Sequence, residues 1–131
     1  MKLSELRKYR RKVRQLALVE QQLRGYAATD PVQGSKGPPS FEKTTRYVEG
    51  YPHTERVYQL LSQRRWLKDQ LQAIEDYIFS VEDERVCDAL ILYCMDERLG
   101  MRPTWDDVAR EMKSPSGAAV KMAVYRFMHI T

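Results

Sequence analysis

The 131-residue sequence predicts an all-α protein: a long helical hairpin, or dimeric coiled-coil-like helices, followed by a C-terminal three-helix helix-turn-helix unit. Three observations carry this. Apolar residues recur at spacings of three and four through two long segments, which places them on one face of a helix. A stretch rich in Gly, Pro, Ser and Thr separates those segments. Near the C-terminus, TWDDVAREMKSPSG places a capped amphipathic helix, a sharp stop and a restart in quick succession. The expected division is 1–79 for a hairpin or dimerisation region with loop 25–53, and 80–131 for the helix-turn-helix domain.

In the first helix, residue 3 to about residue 24, Leu6, Tyr9, Val13, Leu16 and Leu23 share one face. Ser4 is placed to cap its start, and Gly25 to stop it as a C′ glycine. From Gly25 to His53 the periodicity disappears, apart from a short strand expected at TTRYV. A connection of that length without regular structure is unusual in a compact domain. It is a linker or a loop with a task, and Tyr26, Phe41, Tyr47 and Tyr51 are its candidate protein-contact anchors.

The second long helix spans about Thr54 to Phe79, with Thr54 as cap. Val57, Leu60, Leu67, Leu71, Ile74 and Ile78 follow a heptad frame, with Arg64 at one inward position. Such a helix pairs antiparallel with the first, or with a second copy. Arg64 specifies register if an acid meets it, or snorkels to water. Trp66 neighbours this seam and reads as packing at its edge.

A third helix is expected over about 81–98. Ser80 and Asp83 form a weak capping box, VEDE supplies acids to its positive end, and Val86, Leu90 and Tyr93 form its stripe. Gly100 and Pro103 end it. Thr104 and Asp107 repeat the capping pattern, and Trp105, Val108, Ala109 and Met112 make one buried stripe. Ala109 suits a close helix crossing. Lys113 ends this helix; Ser114-Pro115 starts the last one as cap and first residue, with Val120, Ala123, Val124 and Phe127 inward.

Two helices joined by a tight turn after a supporting helix outline a helix-turn-helix. In DNA readers the second helix enters the major groove by its N-terminal end. The residues so placed are Lys113 at the turn, then Ser116, Gly117, Ala118, Lys121, Met122, Tyr125 and Arg126. Lys121 and Arg126 suit phosphate or guanine contacts.

Charge is distributed unevenly. Residues 1–29 carry a net +6, residues 80–100 a net −4 and residues 101–131 a net +2, within a total of +4. The N-terminal helix, through Arg7, Lys8, Arg11 and Arg14, is therefore a second basic patch suited to a polyanion.

Other classes are disfavoured. No apolar run approaches the ~18–20 residues that span a membrane, and MKLSELRKYRRKVRQ lacks the apolar core of a secretory signal, so a cytoplasmic location is expected. Cys87 and Cys94, about 10 Å apart along one helix, are beyond disulfide reach and read as buried free thiols. His53 and His129 make no metal set with them. GSKGPP departs from the phosphate-loop order, and Asp106 and Asp107 point to different sides of their helix. No enzyme activity, cofactor or metal is expected.

The order of a basic helix, a TDPVQGSKGPP loop, a heptad helix and then IEDYIFSVEDERVCDALILYCMDERLGMRPTWDDVAREMKSPSGAAVKMAVYRFM resembles the small ArpU- and RinA-type helix-turn-helix regulators of phages and prophages. It is also similar to the last DNA-binding region of sigma factors. In that group a tryptophan opens the first motif helix, as Trp105 does, and an Arg-Phe pair closes the last, as Arg126-Phe127 does. The resemblance implies a phage-type transcriptional regulator that binds double-stranded DNA, with Ser116, Gly117, Lys121, Met122 and Tyr125 facing it. A homodimer through the heptad helices is expected. The competing expectation is a phage-encoded interaction module or inhibitor that engages host RNA polymerase or a nuclease effector such as a CRISPR complex.

Overall fold

The fold is all-α. The computed structural model describes residues 1–27, 47–48 and 50–129. In chain order the elements are α1 (Leu3–Leu6), α2 (Tyr9–Ala27), β1 (Tyr47–Val48), β2 (Tyr51–Pro52), α3 (Glu55–Phe79), α4 (Glu84–Leu90), α5 (Trp105–Glu111) and α6 (Gly117–Phe127). The chain forms two compact units: Met1–Val13 with Gln70–Thr131, and Arg14–Asp69. The division cuts through both α2 and α3.

In the unit Arg14–Asp69, Val19 and Leu23 of α2 pack with Val57, Leu60 and Leu67 of α3, and Leu16, Tyr26, Tyr51 and Leu61 close over them. The heptad frame accounts for α3, since Val57, Leu60 and Leu67 here and Leu71, Ile74 and Ile78 beyond are all buried. Thr54 Oγ1 accepts the Val57 N–H at 3.2 Å, the cap expected of it. Arg64 is half-buried, and Trp66 is 55 % exposed. The two helices run antiparallel within this chain: Gln22 meets Arg56, and Glu20 meets Lys68.

Gly25 does not end the helix. Its backbone stays helical and α2 runs on to Ala27, because Tyr26 still has the apolar cluster to pack against. That burial outweighs the roughly 0.5–1 kcal/mol an interior glycine costs. The strand expected in TTRYV is present as Tyr47–Val48, paired antiparallel with Tyr51–Pro52.

In the other unit the core gathers Leu3 and Leu6 of α1, Ile74 and Ile78 of α3, Val86, Ala89 and Leu90 of α4, and Val108, Ala109, Val120 and Val124. The start is not capped by Ser4. Lys2 precedes α1 without a side-chain bond, and a turn at Arg7-Lys8 separates α1 from α2. α4 opens at Asp83 rather than Ser80. Asp83 Oδ1 accepts the N–H groups of Arg85 and Val86 at 3.0 and 3.2 Å, while Ser80 donates its hydroxyl to Tyr77 O at the end of α3.

The expected long third helix is broken. After Leu90 the backbone widens into a π-helical turn, Ile91–Met95, in which Asp96 N–H bonds to Ile91 O at 2.8 Å. A 3-10 turn, Glu97–Leu99, follows and Gly100 stops it at φ 78°. The cause lies in α2. Arg10, 6 % exposed, donates from Nη1 to Tyr93 O at 2.6 Å, from Nη2 to Leu92 O and Asp96 O, and from Nε to Asp96 O. The carbonyls at a helix end have no partners of their own, and this guanidinium collects three of them. Burial lowers its pKa, with Cys94 and Asp96 opposing the shift, yet an arginine stays charged.

Candidate nucleic-acid interface

α5 begins with a complete capping box. Thr104 Oγ1 accepts the Asp107 N–H at 3.2 Å, and Asp107 Oδ2 accepts the Thr104 N–H at 2.9 Å. The second bond holds the Asp107 carboxyl below the usual carboxylate range. Val108 and Ala109 enter the core, and Trp105 and Met112 pack against it.

The turn after α5 is a Schellman stop. Lys113 takes φ 56°, its N–H bonds to Arg110 O at 3.2 Å, and the Ser114 N–H reaches Ala109 O at 2.8 Å. Lysine thus occupies the left-handed position that usually falls to glycine. Ser114 belongs to this stop and not to the next cap, and its Oγ is buried with no hydrogen-bond partner among the described residues. The cap of α6 is Ser116, whose Oγ accepts the Ala119 N–H at 3.1 Å. The last helix therefore starts at Gly117, two residues later than Ser114-Pro115 suggests.

Gly117 is buried against the start of α5. A Cβ there would stand 2.3 Å from Asp106 Oδ1, 2.6 Å from Asp106 N and 2.7 Å from the Trp105 carbonyl carbon. The two helix N-termini approach this closely only because the side chain is a hydrogen. Gly117 is accordingly not on the outer face where the sequence placed it; it is the small residue of a close approach to Trp105 and Asp106. The inward line of α6 then runs Gly117, Val120, Val124, with Met128 packed on the same core. Ala123 is exposed and Phe127, the last residue of α6, is 39 % exposed, which corrects their inward assignment; Ala123 lies off that line by about one residue's rotation from Val124, ~100°.

The outer face carries Ala118, Lys121, Met122 and Arg126, all exposed, with Met122 at 51 %. Lys113 and Ser116 are exposed at the turn. No ion pair holds Lys113, Lys121 or Arg126 among the described residues, and α6 contains no acid. Tyr125 is half-buried, its ring edge-on to Trp105 at 6.4 Å and beneath the Lys121 ammonium at 5.3 Å. Trp105 in turn stacks on Tyr93 at 3.8 Å with the planes 8° apart. The Arg7 guanidinium stands 5.4 Å from the Tyr93 ring centre. A column of three aromatic rings thus carries a cation at each end.

Arg7, Lys8, Arg11 and Arg14 are exposed as expected, but Arg14 falls in the other unit. Arg10 is the residue sequence reasoning missed. It lies on the line Leu3, Leu6, Arg10, Val13 at spacings of three and four, so its position was legible as inward even though its partners were not. Tyr26 and Tyr51 are half-buried against the core of their own unit rather than free anchors. Phe41 and the side chain of Tyr47 lie outside the described residues, as does most of loop 25–53. Among the described residues no three His, Cys, Asp or Glu side chains converge as a metal set, and no helix is long and apolar enough to cross a membrane. Cys94 is buried and Cys87 half-buried, both as free thiols.

No family model, curated protein or solved structure matches this chain.

Proposed function

We propose that α5 and α6 form a helix-turn-helix that seats α6 in the major groove of DNA, and that the chain is a transcriptional regulator of the phage type. The observation that carries this is the outer face of α6. A buried Gly117 draws the helix tightly onto α5, while Lys121, Met122 and Arg126 stay exposed with no acid on the helix. The positive N-terminal end of an eleven-residue helix adds to the attraction for phosphate. Small residues at Ala118 and Ala119 allow close backbone approach but read few base edges, so binding owes more to phosphate contact than to sequence.

Three acids cluster at Glu82, Asp83 and Glu84 at the start of α4, where Asp83 is engaged as a cap; Asp106 stands beside the start of α6 and subtracts from the attraction there. The heptad positions behind the expected homodimer are buried within the chain, so a two-fold partner would use exposed faces instead. The sparse base-reading chemistry of α6 favours a second reading, in which the same scaffold engages a host protein such as RNA polymerase or a nuclease effector.

Lys121→Ala with Arg126→Ala separates the two. Loss of two phosphate contacts is expected to lower the slope of log affinity against log salt by about 1.8. Capture of a host protein that survives nuclease treatment, and is unchanged by the double substitution, would replace the DNA reading with the interaction reading.

A further inference from the structure

The unit that carries α6 has a second cationic feature. A groove of about 520 Å³ is lined by Arg7, Lys8 and Arg11 of the α1–α2 segment, by Arg102 from the loop before α5, and by Tyr93, with Arg10 in its wall. No carboxylate lines it. Arg102 lies 91 residues beyond Arg11 in the sequence, so only the fold brings it there.

These cations differ in what they have left to give. Arg10 uses four of its five N–H groups on backbone carbonyls and contributes charge rather than donors. Arg7 lies over the Tyr93 ring. Lys8, Arg11 and Arg102 make no side-chain hydrogen bond or ion pair among the described residues. Gathering like charges around one concavity is unfavourable unless an anion sits among them. Several separated cations, two with planar guanidinium forks, suit the successive phosphates of a phosphodiester better than one carboxylate.

The floor of the groove points to the occupant. Tyr93 is the first ring of the column that runs through Trp105 to Tyr125, where Lys121 of α6 stands over the last ring. Arg7 and Lys121 are therefore held by one packed series of rings within a single unit. We infer that the groove is a phosphate-binding cleft that grips the sugar–phosphate backbone of the DNA engaged by α6. It acts as a clamp blind to sequence. This inference rests on the reading of α6 as the DNA-facing helix.

The test is fluorescence anisotropy of duplex DNA of mixed sequence between 50 and 200 mM salt. It compares the full chain with Lys8→Ala/Arg11→Ala/Arg102→Ala and with Lys121→Ala/Arg126→Ala. The triple variant is expected to lower the salt slope by about 2.7 and to weaken binding by roughly two to three orders of magnitude at 0.1 M salt, equally for every sequence. All three residues are exposed, and far-ultraviolet circular dichroism checks their fold. Arg102→Glu alone should already weaken binding, and it keeps the test in force if the triple variant unfolds. A triple variant with the slope of the parent overturns the clamp while leaving α6 in place. A double variant that binds like the parent, beside a triple variant that does not, refutes α6 as the DNA-facing helix and with it the clamp as an aid to α6, leaving the groove as the DNA contact by itself. Inorganic pyrophosphate bound tightly in the groove by a chain that ignores DNA overturns both.

Discussion

Replacing Arg10 by methionine removes the guanidinium and leaves its volume nearly filled. Three carbonyls, those of Leu92, Tyr93 and Asp96, then lose their donors. Hydrogen bonds from a charged donor are each worth about 1.5–3 kcal/mol, and the four present would sum to much of a domain's entire stability of about 5–15 kcal/mol. They cannot contribute that sum, because the guanidinium also surrendered its hydration on burial. Removing one partner of a buried charged network costs about 3–5 kcal/mol. Neutral carbonyls are less demanding to leave than a charge, so about 3 kcal/mol is expected here. Equilibrium urea unfolding should show a lower midpoint with an unchanged slope, and Tm should fall on the order of 10 °C. Arg10→Lys keeps the charge but cannot reach three carbonyls from one ammonium, so it should recover less than half of the loss. A methionine variant within about 1 kcal/mol of the parent, or a lysine variant equal to it, would refute the assignment of Arg10 as the cap of the π turn.

Gly117→Ala should destabilise by about 2–3 kcal/mol, because two of the three atoms it meets are backbone and the helices must part. In an ordinary helix the same change stabilises by roughly 0.5–1 kcal/mol, so an unchanged or raised Tm would sink the close approach. The Asp96 carboxyl is held low by the side chain and then the backbone N–H of Arg98, and Asp107 by its bond to the Thr104 N–H. Folded pKa values below the unfolded ones mean a contribution present above about pH 4 and lost as the pH falls through the depressed values. Between pH 5 and 2 the urea midpoint should therefore fall less in Asp96→Asn/Asp107→Asn than in the parent; equal slopes would contradict this. Burial pushes the Cys94 thiol up to about 12, leaving on the order of one thiolate in 10⁴ at pH 8. A thiol reagent should modify it only on unfolding, and prompt native labelling of both cysteines would show that the packing around Cys94 opens readily.

Some of the architecture is local chemistry and could be read as such. The capping box of Thr104 and Asp107, the cap at Thr54 and the buried line from Val57 to Ile78 each depend on residues within a turn or two of one another. The errors share a different cause. Ser4, Ser80 and Ser114 all sit where a helix could begin, and each lost to tertiary contacts or to a better neighbour: Asp83 three residues after Ser80, Ser116 after the Schellman stop. Gly25 reads as a stop only if nothing beyond it is buried, yet Tyr26 has a core to cover.

By itself, the sequence determined the helical class, the caps written in side chains adjacent to their helices, and the basic character of the N-terminal helix. Periodicity and capping act over distances of one or two turns, and a sequence displays those directly. The tertiary structure alone decided that Arg10 turns inward, that α4 widens to meet it, that Gly117 is a contact rather than a reading residue, and that Arg102 joins Arg7, Lys8 and Arg11 in one groove. Each of those depends on groups more than ten residues apart coming into hydrogen-bond or van der Waals range. A guanidinium satisfies its donors wherever carbonyls are free, and only packing decides where that is.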